Sequence, residues 1–196
     1  MKFVHMSDCH IGGWKEAKLR RLNMDCFKEA VKISLDRNID FVLVSGDLFN
    51  TSLPQIDYIK EVTSELKRIK DANIPIYIVA GSHDFSPSGK TMLDVLENAG
   101  LVKNVMCFDT EKLCFTVDPK TGAKIVGMYG KRGGLEIKEY EAMQYSHLEA
   151  EEGFKIFLFH TAINEFKPQG LEMMPGANAA SLPKNFNYYA GGHVHY

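Results

Sequence analysis

The chain has 196 residues, of which 45% are hydrophobic and 24% are charged, and its formal net charge is -2. This length fits one globular domain with a sizeable core, or at most two small ones. The composition argues against a disordered, collagen-like or coiled-coil protein. The small net charge excludes a global basic field, so any contact with nucleic acid must come from a local patch or a metal site.

Cysteine usage and hydropathy favour a cytoplasmic location. The four cysteines include no C-x-x-C pair, and a chain of this size needs no disulfides to fold. The longest apolar runs, 41–44 and 74–80, are far shorter than the roughly 20 residues that cross a bilayer. A signal peptide is not expected, because Asp8 and His10 interrupt the N-terminal apolar run. We therefore expect a reduced environment and no membrane segment.

Hydrophobic periodicity predicts alternating strands and helices in the first half of the chain. Apolar residues recur at steps of three and four in the helical segments and form short continuous runs in the strands. The predicted strands are 2–7, 41–45 and 74–80, and the predicted helices are 15–37, 56–69 and 91–98.

The second half changes character. The segments 113–117 and 124–128 flank a Pro/Gly-containing turn, which predicts a β-hairpin. A helix over 137–149, strands over 154–159 and 187–190, and a long loop over 164–184 complete the prediction. This order favours an α/β fold in which two sheets pack together with helices outside. Ligands of such sheets bind at the carboxyl ends of the strands.

Polar side chains that can ligate a metal ion follow five of the predicted strands. Each short group is a weak signal alone, but loops at strand ends converge in space, and five of the seven histidines lie in these groups. Together they predict a metal site, and the residues are Asp8 and His10; Asp47; Ser82, His83 and Asp84; His160; and His193 and His195.

The composition of this set indicates the metal and the reaction. Carboxylate and imidazole ligands suit Mn, Fe or Zn ions, and the lack of cysteine among the predicted ligands disfavours a structural zinc site. One catalytic ion takes fewer protein ligands than this, so we expect two ions about 3.5–4 Å apart, bridged by one carboxylate. Such a pair stabilises both oxygens of a phosphoryl displacement, and the reaction predicted is therefore phosphoester hydrolysis.

The motif order D-x-H, G-D, G-[NS]-H-D, H and G-H-x-H resembles that of the calcineurin-like metallophosphoesterases along the whole chain. More narrowly, segments 4–12, 44–49 and 81–85 are similar to the Mre-eleven/SbcD DNA repair nucleases. The G-D-L-F sequence at 46–49 differs from the Arg-containing motif of protein phosphatases. The resemblance implies a four-layer α-β-β-α sandwich and a Mn-dependent DNA exo- or endonuclease that uses a metal-bound hydroxide.

The resemblance also implies a role for each matching residue. His83 would protonate the leaving sugar oxygen or stabilise its charge. Asp47 would bridge the two metal ions. One ion would be held by Asp8, His10, Asp47 and His195, and the other by Asp47, Ser82, His160 and His193.

Two residues depart from the family pattern. Most members have Asn where this chain has Ser82, and three alternatives stay open: Ser82 ligates the second ion, binds it through water, or only shapes the turn and leaves that site weak. Many members have His where this chain has Asn50. Asn50 can hydrogen-bond a phosphate but cannot transfer a proton at neutral pH.

Further contacts with DNA are expected from residues in loops around the site. Lys15, Lys131 and Arg132 are candidates for binding phosphates, together with Asn50. Trp14 is expected to pack against the first helix rather than to stack on a base.

The resemblance implies a homodimer that works with a coiled-coil ATPase of the Rad-fifty/SbcC type in the full-length form, with no membrane contact. The segment 91–98 is apolar around most of its circumference, which predicts an interface at Met92, Leu93 and Leu96. The whole chain, 1–196, is expected to be a nuclease domain that lacks the C-terminal strands and DNA-capping domain of the family.

Two other functions compatible with this pattern are a phosphodiesterase acting on a small nucleotide or other phosphodiester, and a non-catalytic DNA-binding or scaffold subunit. The second alternative would follow if Ser82 left one metal site unfilled.

Overall fold

A computed structural model describes residues 1–195. The first half alternates strand and helix, as predicted. Its elements are β1 (Phe3–Met6), α1 (Ala17–Asp36), β2 (Phe41–Ser45), α2 (Ile56–Asp71), β3 (Ile76–Val79), α3 (Met92–Asn98) and β4 (Lys103–Asn104).

The second half is built mainly of strands, with two short helices between them. Its elements are β5 (Cys107–Asp109), β6 (Lys112–Cys114), β7 (Thr116–Val117), β8 (Lys124–Met128), α4 (Ile137–Ala142), α5 (Ser146–Glu149), β9 (Lys155–His160) and β10 (Tyr188–Gly192). The segment 164–184 contains two single turns of 3₁₀-helix and is otherwise a loop.

The strands form two four-stranded sheets and one separate hairpin. The first sheet has the order β1-β2-β3-β4 and is parallel throughout. The second has the order β10-β9-β8-β7, in which only β7 is antiparallel to its neighbour. Strands β5 and β6 pair with each other as a two-stranded antiparallel hairpin.

Three buried clusters separate four layers, as in the predicted α-β-β-α sandwich. Strand β2 illustrates the alternation, because Val42 and Val44 pack with apolar residues of α1 and α2, whereas Phe41 and Leu43 face the second sheet. A third cluster joins the outer face of the second sheet to α4 and α5. The two sheets thus pack face to face as the two central layers, with helices on both outer sides.

Two predicted elements are divided in the structure. The predicted helix 137–149 is two short helices, because Met143 has extended backbone angles (φ -70°, ψ 137°) that end α4. The predicted strand 113–117 is shared between β6, which pairs with β5, and β7, which forms the hairpin with β8. Local periodicity does not show where the strand is divided, since the pairing partners of β6 and β7 decide it.

The predicted dimer interface on α3 is wrong for the two leucines on which it depends. Leu93 and Leu96 are buried in the core of their own chain, and Met92 packs against the same cluster. Val95 is the exposed apolar residue of this helix. The apolar character of 91–98 therefore stabilises the first sheet and its helices within one chain.

None of the helices in residues 1–195 has the length and apolar character needed to cross a membrane.

Candidate metal centre

The carboxyl ends of strands from both sheets meet at one edge of the sandwich. Strands β1, β2 and β3 contribute from the first sheet, and β9 and β10 contribute from the second. Backbone hydrogen bonds fix the adjoining loops, since the Asp8 amide donates to the Gly46 carbonyl at 3.0 Å and the His10 amide to the Asp47 carbonyl at 2.9 Å. The edge of the sandwich that the sequence predicts is therefore the place where these side chains gather.

Glycines make this close approach possible. A Cβ atom on Gly46 would lie 2.2 Å from Nδ1 of His160, and one on Gly81 would lie 2.2 Å from Oδ1 of Asp47. Any side chain at either position would displace a neighbouring polar group, so both positions require glycine.

Two carboxylates lie at the centre of the cluster, with histidines around them. Oδ2 of Asp47 lies 3.5 Å from Nε2 of His10 and 3.3 Å from Nε2 of His160. Oδ1 of Asp8 lies 3.1 Å from Nε2 of His195. Three overlapping groups have their ligand atoms within 4.8 Å of one another, namely Asp8, His10 and His195; His10, Asp47 and His83; and Asp8, Asp47 and His160.

His160 carries an unpartnered nitrogen in the interior. Its Nδ1 donates a hydrogen bond to the main-chain carbonyl of Ser45 at 2.8 Å. Its Nε2 is buried beside Asp47 and makes no hydrogen bond within the described chain. A buried imidazole nitrogen that faces a carboxylate without bonding to it has the chemistry of a metal ligand, since unpaired buried polar atoms are costly. The donor set therefore fits a divalent ion.

The ionisation of the cluster also suits metal binding. Burial raises the pKa of the Asp47 carboxyl group, but the imidazole of His160, the main-chain amide of His83 and the charge of His10 outweigh burial and bring this pKa to about 2. Burial lowers the pKa of His10 and of His193. Burial also lowers the pKa of His160, but Asp47 outweighs burial there and raises it. An ionised Asp47 and neutral His10 and His193 are forms that bind metal ions, and binding of an ion by His160 would release the proton that Asp47 favours.

The backbone at the strand ends is strained. Asp8, His10, Asp47 and His193 have positive φ angles of 53°, 45°, 51° and 96°. Each such conformation costs on the order of 1–3 kcal/mol for a residue other than glycine. Strain concentrated at four of the predicted ligands indicates that their placement, rather than the stability of the loops, has determined the backbone.

Asn50 contacts two of the histidines. Nδ1 of His83 donates to the main-chain oxygen of Asn50 at 2.8 Å, and Nδ1 of His10 lies 3.2 Å from its side-chain Oδ1. The sequence predicts a contact of Asn50 with phosphate, whereas in the structure its side-chain oxygen is engaged by His10. Each bond leaves Nε2 of the histidine as the nitrogen available for other chemistry.

Ser82 and His193 lie at the margin of the cluster. The Ser82 hydroxyl is buried and donates to Oδ2 of Asp47 over 3.4 Å, a long hydrogen bond. The His193 ring packs against His160 with 5.0 Å between ring centroids, and its main-chain amide donates to both carboxylate oxygens of Asp8. His193 does not belong to any of the three groups found among residues 1–195.

Asp84 supports the site from beneath, a role that sequence reasoning missed. Its carboxylate is buried and accepts hydrogen bonds from the main-chain amides of Leu48, Phe49 and Gly81 at 3.1–3.2 Å. These bonds tie the loop after β2 to the loop after β3. The sequence signal for this role was the acidic residue at the end of the G-S-H-D motif. A carboxylate is costly to bury without hydrogen-bond donors, so an Asp beside a buried strand indicates such partners.

His5 and Ser45 connect the sheets behind the site. His5 of β1 is hydrogen-bonded through both ring nitrogens, since its Nε2 lies 3.0 Å from the Ser45 hydroxyl and its Nδ1 lies 3.2 Å from the Tyr188 hydroxyl. The same Ser45 hydroxyl donates to the Ala190 carbonyl at 2.8 Å. This network fixes β10 against β1 and β2.

The predicted phosphate contacts differ in how accessible they are. Lys131 pairs with Glu139, and its ammonium lies 5.3 Å and 4.9 Å from the ring centroids of Phe85 and Tyr129. A phosphate would have to compete with all three partners, so the prediction is not supported for Lys131. Lys15 and Arg132 are exposed, and neither forms an ion pair within residues 1–195.

Comparison with known proteins identifies the family. The sequence matches the family Calcineurin-like phosphoesterase over residues 1–196. The chain belongs to this family. The calcineurin-like phosphoesterase family predicted from the motifs is thereby confirmed, and with it the class of metal-dependent phosphoesterases.

Among curated proteins, the chain is similar to archaeal proteins named DNA double-strand break repair protein Mre11. Those of Methanococcus maripaludis and Methanocaldococcus jannaschii are each 32% identical over the whole of this chain, which covers 52% and 51% of their lengths. That of Thermoplasma acidophilum is 30% identical over 98% of this chain and 51% of its own. The calcineurin-like phosphoesterase chain thus spans about half the length of these relatives.

A solved crystal structure has the same fold. It superposes with a TM-score of 0.59, covers 98% of this chain and 84% of its own, and is 12% identical in sequence. At that identity the match supports the architecture of the calcineurin-like phosphoesterase domain and nothing finer.

Proposed function

We propose that this chain is the nuclease domain of a DNA repair enzyme and that it hydrolyses DNA phosphodiester bonds with two divalent metal ions, Mn²⁺ in preference to others. The observation that carries the proposal is the convergence of Asp8 and Asp47 with His10, His160 and His195 at the carboxyl edge of both sheets. Its similarity to archaeal Mre11 proteins favours DNA over other phosphodiesters.

The two ions would share the carboxylate of Asp47. Asp47 contacts histidines on both sides, which suits a bridging ligand. One ion would bind to Asp8, His10 and His195, and the other to His160, with His193 and Ser82 as further ligands. When bound, divalent ions lower the pKa of water and neutralise the charge on the phosphate.

His83 would act on the leaving group. Its Nδ1 is fixed by the Asn50 carbonyl, so a proton on Nε2 is the one it can transfer to a leaving sugar oxygen. The imidazole of His10 lies beside it, with 4.8 Å between ring centroids, which keeps His83 next to the proposed ions. Asn50 itself would position both histidines.

The wider assembly is part of the same proposal. Residues 1–196 would serve as the nuclease domain, and a longer form would act as a homodimer with a coiled-coil ATPase of the Rad-fifty/SbcC type. A dimer surface would have to exclude Leu93 and Leu96, which are buried. A DNA substrate favours the cytoplasm as the location.

The test is hydrolysis of three substrates by the purified chain with Mn²⁺: single-stranded DNA, double-stranded DNA and a chromogenic phosphodiester. We expect cleavage of DNA that EDTA abolishes and that Asp47→Asn loses. Cleavage of the chromogenic ester without cleavage of DNA would replace the proposal by a small-molecule phosphodiesterase. Binding of DNA with no hydrolysis of any substrate would replace it by a DNA-binding subunit.

A further inference from the structure

One shallow cavity adjoins the metal centre, and a second cavity shares a lining residue with it. The first has a volume of about 320 Å³ and is lined by His10, Trp14, Asn50 and His195, among others. The second has a volume of about 280 Å³, and Asn50 lines it too. Because Asn50 lines both, the two cavities are neighbours, and we term the pair the depression. Metal ligands line the first cavity, and Arg20 of α1 lines the second.

Trp14 forms the outer wall of the first cavity. It is the one tryptophan in the sequence, and 51% of its surface is exposed. Packing against the first helix, as predicted, would account for no more than the other half of this surface. A large exposed aromatic ring on a loop directly beside Asp8 and His10 has no role in the core, and it offers a flat surface to a ligand.

Arg20 supplies a cation in the second cavity. It lies on α1, is partly buried, and lines the depression together with Tyr58 and Asn50. Within residues 1–195 it forms no ion pair, whereas its neighbour Arg21 is highly exposed and pairs with Asp25 at 3.8 Å. A guanidinium held in a depression without a carboxylate partner is well suited to bind a phosphate.

We propose that this depression is a binding track for an unpaired DNA strand. Trp14 stacks on the base next to the phosphate that is cleaved, and Arg20 binds the phosphate of a neighbouring nucleotide. An aromatic platform followed by a cation is the arrangement by which proteins hold single strands without regard to sequence. A base within a duplex is already stacked on both faces, so the track selects single strands and frayed ends.

This inference rests on the proposed nuclease function and names its substrate more closely. Steady-state hydrolysis tests it, with a single-stranded oligothymidylate and a blunt duplex of equal length. Trp14→Ala should raise KM for the oligothymidylate about 5- to 150-fold with little change in kcat, and should leave KM for the duplex nearly unchanged. Trp14→Phe, which keeps an aromatic face, should restore most of the loss.

Arg20 has a matched control in its neighbour. Arg20→Gln should raise KM for the single strand, whereas Arg21→Gln removes the same charge from the same helix outside the track and should not. An unchanged KM in Trp14→Ala, or an equal rise for single strand and duplex, would overturn the track. Equal effects of Arg20→Gln and Arg21→Gln would reduce the role of Arg20 to general charge.

A binding measurement separates the track from the nuclease proposal. Trp14 fluorescence should be quenched saturably by oligothymidylate in the His83→Ala protein with Mn²⁺. Quenching in His83→Ala, together with no hydrolysis of DNA by the natural chain, would support the track and overturn the nuclease. Hydrolysis of single strands without quenching, and with a normal KM in Trp14→Ala, would do the reverse.

Discussion

Nδ1 of His83 donates a hydrogen bond to the main-chain carbonyl oxygen of Asn50 at 2.8 Å. The side-chain oxygen of the same asparagine meets Nδ1 of His10 at 3.2 Å. One residue therefore sets the tautomer of a predicted metal ligand and of the predicted proton donor. A substitution of its side chain breaks only the bond to His10, because the carbonyl remains.

Asn50→Ala should weaken Mn²⁺ binding by about 10- to 100-fold, the usual cost of losing a partner that orients a ligating histidine. Asn50→Asp keeps an acceptor oxygen and should retain the affinity. Isothermal titration calorimetry of both variants measures this. Wild-type affinity in Asn50→Ala would mean that the bond to His10 has no influence on the metal.

His83→Ala should retain both metal ions and lower kcat by about 10²–10⁴, the effect of removing a positioned proton donor. Asp47→Ala should instead lose metal, because it removes the central carboxylate. Metal content and kcat of the two variants distinguish the roles. Since His83 also lies close to His10 and Asp47, loss of metal in His83→Ala would make it a ligand.

Ser82→Asn should strengthen the weaker metal site by about tenfold or more, comparable with the effect of an outer hydrogen-bond partner. The serine hydroxyl makes only a 3.4 Å bond to Asp47, whereas an asparagine places a carbonyl oxygen nearer to the ions. Calorimetric titration with Mn²⁺ gives the two affinities, and Ser82→Ala is the control for loss of the hydroxyl. Two equally tight sites in the natural chain would contradict the weak site.

Asp84→Asn should lower the free energy of unfolding by about 2–3 kcal/mol, because an amide cannot accept the three main-chain bonds that the buried carboxylate accepts. Denaturant unfolding measures the loss. Asp57→Asn, an exposed substitution of the same kind, should change stability by less than about 0.5 kcal/mol. Equal effects at the two positions would show that the bonds of Asp84 contribute nothing special.

Leu93→Asp should destabilise the monomer by more than about 3 kcal/mol, because it places a charge in a packed core and removes a buried leucine. Val95→Asp on the exposed side of α3 should be nearly neutral. Thermal unfolding and light scattering of the two variants test this. Normal stability of Leu93→Asp, with loss of a dimer, would restore the interface that the sequence predicts.

The strands and the members of the cluster could be predicted because their signals are local. Parallel strands buried on both faces are continuous apolar runs, and their carboxyl ends meet wherever the sheet places them. The segment 41–45 was predicted to the residue and matches β2. The edge on which Asp47 and His160 meet follows from that rule alone.

The partners of individual side chains could not be predicted, because they come from distant parts of the chain. The burial of Leu93 depends on how α3 lies on the first sheet, and nothing in 91–98 records that. The engagement of Lys131 depends on Glu139 and on two aromatic rings from other elements. Sequence patterns report which side chains can act, whereas the fold decides which of them are already occupied.

The cluster joins distant segments, since Asp8 and His195 are 187 residues apart and meet only when β10 has paired with β9. Protein chains emerge from the ribosome N-terminus first. A growing chain with only its first sheet folded holds Asp8 and Asp47 but lacks the histidines of the second sheet. The cluster is therefore complete only after both sheets have formed, and a chain in which β10 has not yet paired lacks the proposed metal ligands that follow this strand.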